Sequence, residues 1–130
     1  MVQQPIELIL LKQWAEHIAI PVWLMDAHGN LAFYNEPAEA ILGKRFDEVG
    51  EIHADELAEL FVTTGLDGEP VPTEELPIVV ALAEHRPAHG ELRIQSLDSH
   101  DWRQIEITAI PIEGARHLGA MALFWESSGS

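Results

Sequence analysis

The sequence of 130 residues contains no cysteine. This absence excludes disulfide bonds, thiolate nucleophiles, thiolate zinc sites and every cofactor that is held by a bond to sulfur. Basic residues are also scarce, because 7 Lys and Arg stand against 22 Asp and Glu, which gives a formal net charge of -15. Since a surface this acidic repels phosphate backbones, we expect no nucleic-acid partner.

Long apolar runs are missing as well. No stretch reaches the roughly 20 apolar residues that a membrane span needs. The first eleven residues carry Glu7 and precede the first basic residue, Lys12, which does not fit a signal peptide. We therefore expect a cytoplasmic protein that does not associate with membranes. The apolar fraction of 47% is ordinary for a folded chain, and the length fits one domain.

The first half of the sequence predicts a helix, a hairpin and a second helix. Residues 5–19 have helical spacing of their apolar side chains, with Pro5 at the start. Two short apolar runs, 22–25 and 31–34, flank a Gly-Asn turn and predict a β-hairpin. Asn35 then predicts the N-cap of a helix that ends at Gly43.

The second half predicts helices followed by strands. Helical spacing is present over 55–63 and 74–84, and alternating apolar residues predict three strands between Gly90 and Trp125. Two strands, a helical middle and three further strands indicate an α+β fold with a five-stranded antiparallel sheet and an N-terminal helix.

This order of elements resembles the PAS domain family of sensor modules. The resemblance covers about residues 20–126, so that 1–19 form an N-terminal amphipathic helix, 20–126 a PAS domain and 127–130 a flexible tail. The chain is then either a stand-alone PAS protein or a piece excised from a larger one. Four segments carry the resemblance: Pro21–Asp26 with His28-Gly29-Asn30; Leu31–Asn35 with Ala38 and Ile41-Leu42-Gly43; Asp67–Pro70 with Leu76-Pro77; and Trp102-Arg103 with Pro111 and Gly119-Ala120.

The resemblance implies a small ligand cavity on the sheet face that carries Trp23 and Tyr34. Tyr34 is the expected hydrogen-bond donor, because a buried phenol needs a partner. The alternative interpretation is that these apolar side chains simply fill the core. The predicted pocket residues are Trp23, Met25, Tyr34, Leu60, Val79, Leu82, Ile94, Ile105, Ile107, Met121 and Leu123.

The identity of any cofactor is unknown at this stage, although two are excluded. The covalent flavin adduct of light-sensing PAS domains and the thioester-linked chromophore of others both need a cysteine. Haem is disfavoured, since an axial histidine needs a buried position and His85 is expected to be exposed at the end of its helix. Pro87 also prevents His85 and His89 from sharing a helix face as a metal clamp. We expect no metal site, because the other histidines are scattered: His17, His28, His53, His100 and His117.

The other sheet face is also apolar and needs a cover. Relatives in the PAS family commonly dimerise through such a helix and face, so we expect a homodimer. The alternative is that the helix folds onto its own sheet. The residues expected at the dimer interface are Ile6, Leu10, Trp14, Leu24, Phe33 and Phe124.

The resulting prediction is a non-enzymatic sensor or interaction module in signal transduction. It would bind a small apolar or amphipathic ligand, pair with itself, or contact a signalling protein partner. One alternative is a ligand-free dimerisation module. Another is a small acid–base isomerase that uses Asp26, Glu106 and Tyr34.

Overall fold

Antiparallel strands form one curled sheet in the computed structural model, which describes residues 6–43, 45–46, 50, 52, 56, 61–96, 101–113 and 117–127. Within these ranges the sheet has six strands in the spatial order β2-β1-β6-β5-β4-β3. The elements in chain order are α1 (Ile6–Ala15), β1 (Val22–Asp26), β2 (Leu31–Tyr34), α2 (Glu36–Leu42), β3 (Phe61–Thr64), a 3-10 turn (Thr73–Glu75), α3 (Pro77–Glu84), β4 (Ala88–Ser96), β5 (Trp102–Glu113) and β6 (His117–Glu126).

The PAS-like α+β class predicted from the sequence is confirmed, but the strand count is six instead of five. The additional strand is β3, which pairs with β4 through Thr63 and Ile94. The spacing of Leu57, Leu60 and Phe61 had predicted a helix over 55–63, and this prediction is wrong for Phe61 onward. Pairing with the edge of β4 overrides the local helical spacing there. Residues 57–60 lie outside the described ranges.

Helix α2 begins and ends as the sequence predicts. The Asn35 side chain accepts a hydrogen bond from the backbone N–H of Ala38, and Gly43 adopts a left-handed φ of 77° at the other end. The predicted helix over 74–84 is instead interrupted at Leu76, whose ψ is 137°. A residue that precedes proline disfavours helical backbone, so α3 begins only at Pro77.

The register of the sheet decides which side chains share a face. Trp23 lies opposite Ala122, and Leu24 lies opposite Met121. We call the side that carries Trp23 the inner face, since its side chains pack against α2 and α3. The side that carries Leu24 is the outer face, where α1 packs.

This register corrects three sequence predictions on β6. Phe124 was expected on the dimer face but packs in the inner cluster. Met121 and Leu123 were expected in the pocket but lie in the outer cluster with Val22 and Leu24. The physical reason is that β6 is apolar on both faces, so alternation alone does not determine which residues face inward. A register shift of one residue moves every side chain to the opposite face.

A β-bulge changes the faces of β2. Met25 pairs with Leu31, although the register of Leu24 with Phe33 would pair it with Ala32. The extra residue places Ala32 and Phe33 together in the outer cluster, while Leu31 and Tyr34 pack in the inner one.

Helix α1 covers the outer face of its own sheet. It buries Leu8 and Ala15, and Leu11 packs against the outer cluster. In contrast, Ile6, Leu10 and Trp14 are 67%, 56% and 47% exposed. The sequence had assigned these three residues to the cover of the outer face, either within one chain or in a dimer. Within one chain other residues of α1 make that contact, because the helix is apolar on two sides. No helix in the described ranges has the length and apolar character to cross a membrane.

The side chain of Asn35 joins α1, β1 and α2, and it is 1% exposed. Its Oδ1 accepts hydrogen bonds from the N–H of Val22 and Ala38 at 3.0 and 3.2 Å. Its Nδ2 donates to the carbonyl oxygens of Ala15 and Ile20, both at 2.9 Å. One amide therefore satisfies four backbone groups that have no regular secondary-structure partner.

We predict that Asn35→Ala lowers the free energy of unfolding by about 3 kcal/mol, because a helix cap is lost and buried backbone groups are left unpaired. The matched control is Asn30→Ala, which removes one 3.3 Å side-chain hydrogen bond to Asp26 at a turn and is expected to cost less than about 1 kcal/mol. Urea unfolding of both variants measures the difference. Equal losses of unfolding free energy in the two variants would contradict the prediction that Asn35 anchors several elements.

Candidate functional site

A cavity of about 280 Å³ lies on the inner face of the sheet. Strands β4, β5 and β6 form its floor, while β3, the 3-10 turn and the start of α3 form its walls. The residues that line it are Trp23, Leu42, Phe61, Val62, Thr63, Pro70, Val71, Thr73, Leu76, Pro77, Ile78, Leu92, Ile94, Ile105, Ile107, Ala122 and Phe124.

The cavity lining is almost entirely apolar. It includes no charged side chain, and its side-chain polar atoms come from Thr63, Thr73 and the indole of Trp23. The Nε1 atom of Trp23 is buried and has no hydrogen-bond partner among the described residues. A buried donor without a partner is unfavourable, so this N–H would gain from an acceptor placed beside it.

Aromatic contacts hold Trp23 in place. Its ring stacks on Tyr34 with centroids 5.3 Å apart and an interplanar angle of 9°. The ring of Phe61 meets it edge-on, at 6.4 Å and 69°. These contacts from β2 and β3 orient the indole at the border between the packed core and the cavity.

The structure places the predicted pocket residues that it describes in three different locations. Trp23, Ile94, Ile105 and Ile107 line the cavity. Met25, Tyr34, Val79 and Leu82 belong to the inner apolar cluster but not to the cavity lining. Met121 and Leu123 lie on the outer face, and Leu60 is outside the described residues.

Tyr34 therefore does not occupy the position expected of a ligand donor. Its ring is fully buried between Trp23 and Phe46, the latter at a centroid distance of 5.4 Å. The sequence missed the lining contributed by β3 and by Pro70 and Val71. The turn at Asp67–Pro70 was recognised as a motif, but nothing in it indicated that Pro70 would bridge to Thr64.

The three residues of the alternative acid–base site do not converge. Asp26 Oδ1 accepts hydrogen bonds from the N–H of His28 and Asn30, both at 2.9 Å, so this carboxylate is engaged in the turn. Glu106 alternates with Ile105 and Ile107, so it faces away from the cavity. Its Oε2 accepts a hydrogen bond from Trp125 Nε1 at 3.0 Å.

One cluster contradicts the expectation that the histidines form no ligand pattern. His85 at the end of α3, Glu113 at the end of β5 and His117 at the start of β6 have their ring nitrogens and carboxylate within 4.8 Å of one another. The sequence pattern did not reveal this group, because His85 and Glu113 are 28 positions apart in the chain. His85 is exposed and does not line the cavity.

Comparison with solved structures gives matches over nearly the whole chain. The PAS domain of a protein from Colwellia psychrerythraea superposes with a TM-score of 0.66 at 17% identity, and the match covers 95% of this chain and 99% of that one. The PAS domain of Bordetella pertussis BvgS gives 0.67 at 15% identity, covering 95% and 88%. The LOV protein of Rhodobacter sphaeroides gives 0.70 at 12%, covering 97% and 70%.

Sequence comparisons add nothing to these structural matches. No protein-family model matches the chain, and no curated protein does so either. The likeness at these identities is therefore one of fold.

The cavity can be tested by filling it. We predict that Ile107→Phe lowers the free energy of unfolding by less than about 1 kcal/mol, because the larger ring can enter the adjacent space. The control is Ala109→Leu, two residues along β5 in the same cluster but away from the cavity lining. It should cost about 1–3 kcal/mol by overpacking. Urea unfolding compares the two, and a larger loss for Ile107→Phe would mean that the cavity is not available space.

Proposed function

We propose that this chain, which has the PAS fold, is a sensory and signalling module that binds a small apolar molecule in the cavity on its inner face. The observation that carries the proposal is an apolar cavity of about 280 Å³ whose lining includes Trp23, and the indole N–H of that residue is buried without a partner among the described residues. Small-molecule sites typically combine apolar walls with a few placed polar groups.

The lining indicates the chemistry of the ligand. With no charged side chain on the wall, a charged ligand would lose its hydration without a counter-charge. A neutral molecule with an apolar body fits these walls. One acceptor on it, such as a carbonyl or ether oxygen, would pair the Trp23 N–H once a small shift of the indole exposes that donor. The volume lies near the lower end of the roughly 300–1,000 Å³ usual for ligand sites, which favours a compact molecule.

Transmission of the signal would use the elements that touch the cavity. Pro77 and Ile78 of α3 line it, and so does Ala122 of β6. The neighbours of Ala122 on β6, Met121 and Leu123, pack in the outer cluster beneath α1. A ligand that favours one packing of this sheet over another would shift the population of α1 arrangements.

Binding, without catalysis, is the activity that the geometry supports. In the described part of the chain the cavity wall has no titratable side chain, whereas acid–base catalysis needs a titratable group within hydrogen-bond reach of the substrate. Glu106 and Asp26 are both engaged elsewhere. The signalling partner and the cytoplasmic location expected from the sequence remain predictions.

Ligand capture tests the proposal. Native mass spectrometry of the purified chain should show a neutral adduct of constant mass, which a denaturing spectrum loses. We predict that Trp23→Phe weakens rebinding of the extracted molecule by about tenfold, since one hydrogen bond contributes about 1.4 kcal/mol or less.

The control for this experiment is Trp102→Phe, which removes an indole that is exposed and lies outside the cavity lining. It should leave binding unchanged. Ile107→Phe, which narrows the cavity, should reduce the adduct further. An adduct that persists equally in Ile107→Phe and Trp23→Phe would place the ligand elsewhere and contradict the proposal.

A second candidate function is homodimerisation through α1. Ile6, Leu10 and Trp14 recur every four residues, so they form one exposed stripe on the side of the helix that faces away from the sheet. Burying such a stripe against its symmetry mate would remove three large apolar side chains from water. This interface differs from the one expected from the sequence, because Leu24, Phe33 and Phe124 are already buried within one chain.

Light scattering after size exclusion tests the dimer. We predict a dimer at micromolar concentration for the native sequence and a monomer for Trp14→Glu, because a charge in an apolar interface is desolvated without a partner. Gln13→Glu adds the same charge at the adjacent exposed position and should remain dimeric. A native chain that elutes as a monomer would refute this second function and leave the cavity proposal intact.

A further inference from the structure

Two histidines and a glutamate meet where the end of α3 approaches the β5–β6 hairpin. His85 Nδ1 lies 3.0 Å from Glu113 Oε1, and His117 Nδ1 lies 3.4 Å from the same oxygen. The two imidazole rings have centroids 4.0 Å apart. This group lies outside the cavity lining and takes no part in the function proposed above.

His117 is not satisfied by its protein neighbours. Its side chain is 17% exposed, and both ring nitrogens are buried without a hydrogen-bond partner among the described residues. The 3.4 Å approach to Glu113 is within ion-pair distance, but it lacks hydrogen-bond geometry. A buried imidazole with neither nitrogen paired is unfavourable, so the arrangement favours an additional species beside it.

We propose that His85, Glu113 and His117 bind a divalent transition-metal ion of the zinc type. Two imidazole nitrogens and one carboxylate oxygen are a donor set that Zn²⁺ accepts. Ligand atoms around a tetrahedral ion, at bond lengths of about 2.0–2.1 Å, lie about 3.3 Å from one another. The contacts of 3.0 and 3.4 Å to Glu113 Oε1 are already close to that spacing.

The backbone contributes to the position of the first ligand. His85 has a left-handed φ of 56°, the only positive φ of a non-glycine residue in the described ranges. Its N–H caps α3 by donating to the carbonyl oxygen of Ala81 at 3.1 Å. This turn carries the His85 ring across to the hairpin.

An ion at this position would join two parts of the chain that are distant in sequence. His85 ends α3, the helix whose first turn lines the cavity with Pro77 and Ile78. Glu113 and His117 belong to the strands behind it. Metal binding would therefore fix the far end of a helix that forms a cavity wall. With three protein ligands, the fourth position is open to water.

Calorimetric titration of the full chain, free of any polyhistidine tag, with Zn²⁺ alone tests the site. The native protein should bind one ion per chain, and its melting temperature should rise with Zn²⁺ concentration. His85→Asn suits the left-handed backbone, and His117→Gln keeps the size of the side chain. Each should weaken binding by at least about tenfold.

His89→Asn is the matched control. That histidine also faces a carboxylate, with His89 Nε2 3.3 Å from Glu106 Oε1, but no third ligand adjoins the pair in the described ranges. This variant should bind Zn²⁺ as the native protein does. Co²⁺ provides an independent readout, because an intense visible band reports four-coordinate geometry, which His117→Gln should abolish.

Two results would overturn the proposal. One is the absence of saturable Zn²⁺ binding by the native chain. The other is equal affinity in the native protein, His85→Asn and His117→Gln, which would assign the binding to scattered surface groups. Circular dichroism of each variant establishes that lost binding is not lost folding.

Discussion

The amide side chain of Asn35 is the interaction on which the rest of the structure depends. Four backbone groups from α1, the segment before β1, β1 itself and α2 converge on it. Three of them lie near the end of a helix or strand, and the fourth, the Ile20 carbonyl, lies in the segment that connects α1 to β1. Only a side chain with both an acceptor and two donors meets this demand, which explains asparagine in place of the serine or aspartate that also cap helices.

The hydrogen bonds of Asn35 also affect the cavity, because they help to fix the register between β1 and β6. The Val22 N–H is tied to Asn35, and the neighbouring Pro21 carbonyl accepts a hydrogen bond from Phe124 at 3.1 Å. At the other end of the β1–β6 pair, Gly119 has a φ of 151°, and a Cβ there would collide with the Met25 carbonyl. Because both ends are constrained, Trp23 and Phe124 must both face inward.

Local chemistry explains which features could be predicted from the sequence. The hairpin, the Asn35 cap and the Gly43 terminus depend on residues close together in the chain, and all three appear in the structure. Strand β3 could not be predicted in this way, because its pairing with β4 depends on a partner about thirty residues away. Of the candidate pocket, the part on β5 was predictable, since Ile105 and Ile107 alternate with polar residues.

The buried and exposed faces of β6 and α1 could not be predicted for a different reason. Both elements are apolar on two sides, so hydrophobic periodicity assigns no inside or outside. Pairing with neighbouring strands decides which face is buried against which layer. It placed Met121 and Leu123 on the outer face, whereas they were expected in the pocket. The bulge at β2 likewise broke an alternation that looked regular. The group of His85, Glu113 and His117 depends on how α3 ends against the hairpin, which no local pattern specifies.

The two-sided apolar character that prevented prediction is also the feature that the proposed signalling function would use. In a sheet whose second face is exposed to solvent, no element is packed on that face to respond to a ligand on the other. Here the strand that carries Trp23 to the cavity also carries Val22 and Leu24 to the layer beneath α1. Interiors are close-packed and transmit displacement, so a change in the Trp23 environment alters the surface on which α1 rests. The exposed stripe of α1 is on its opposite side, so under the proposed functions this helix would be the element that joins the cavity to a partner.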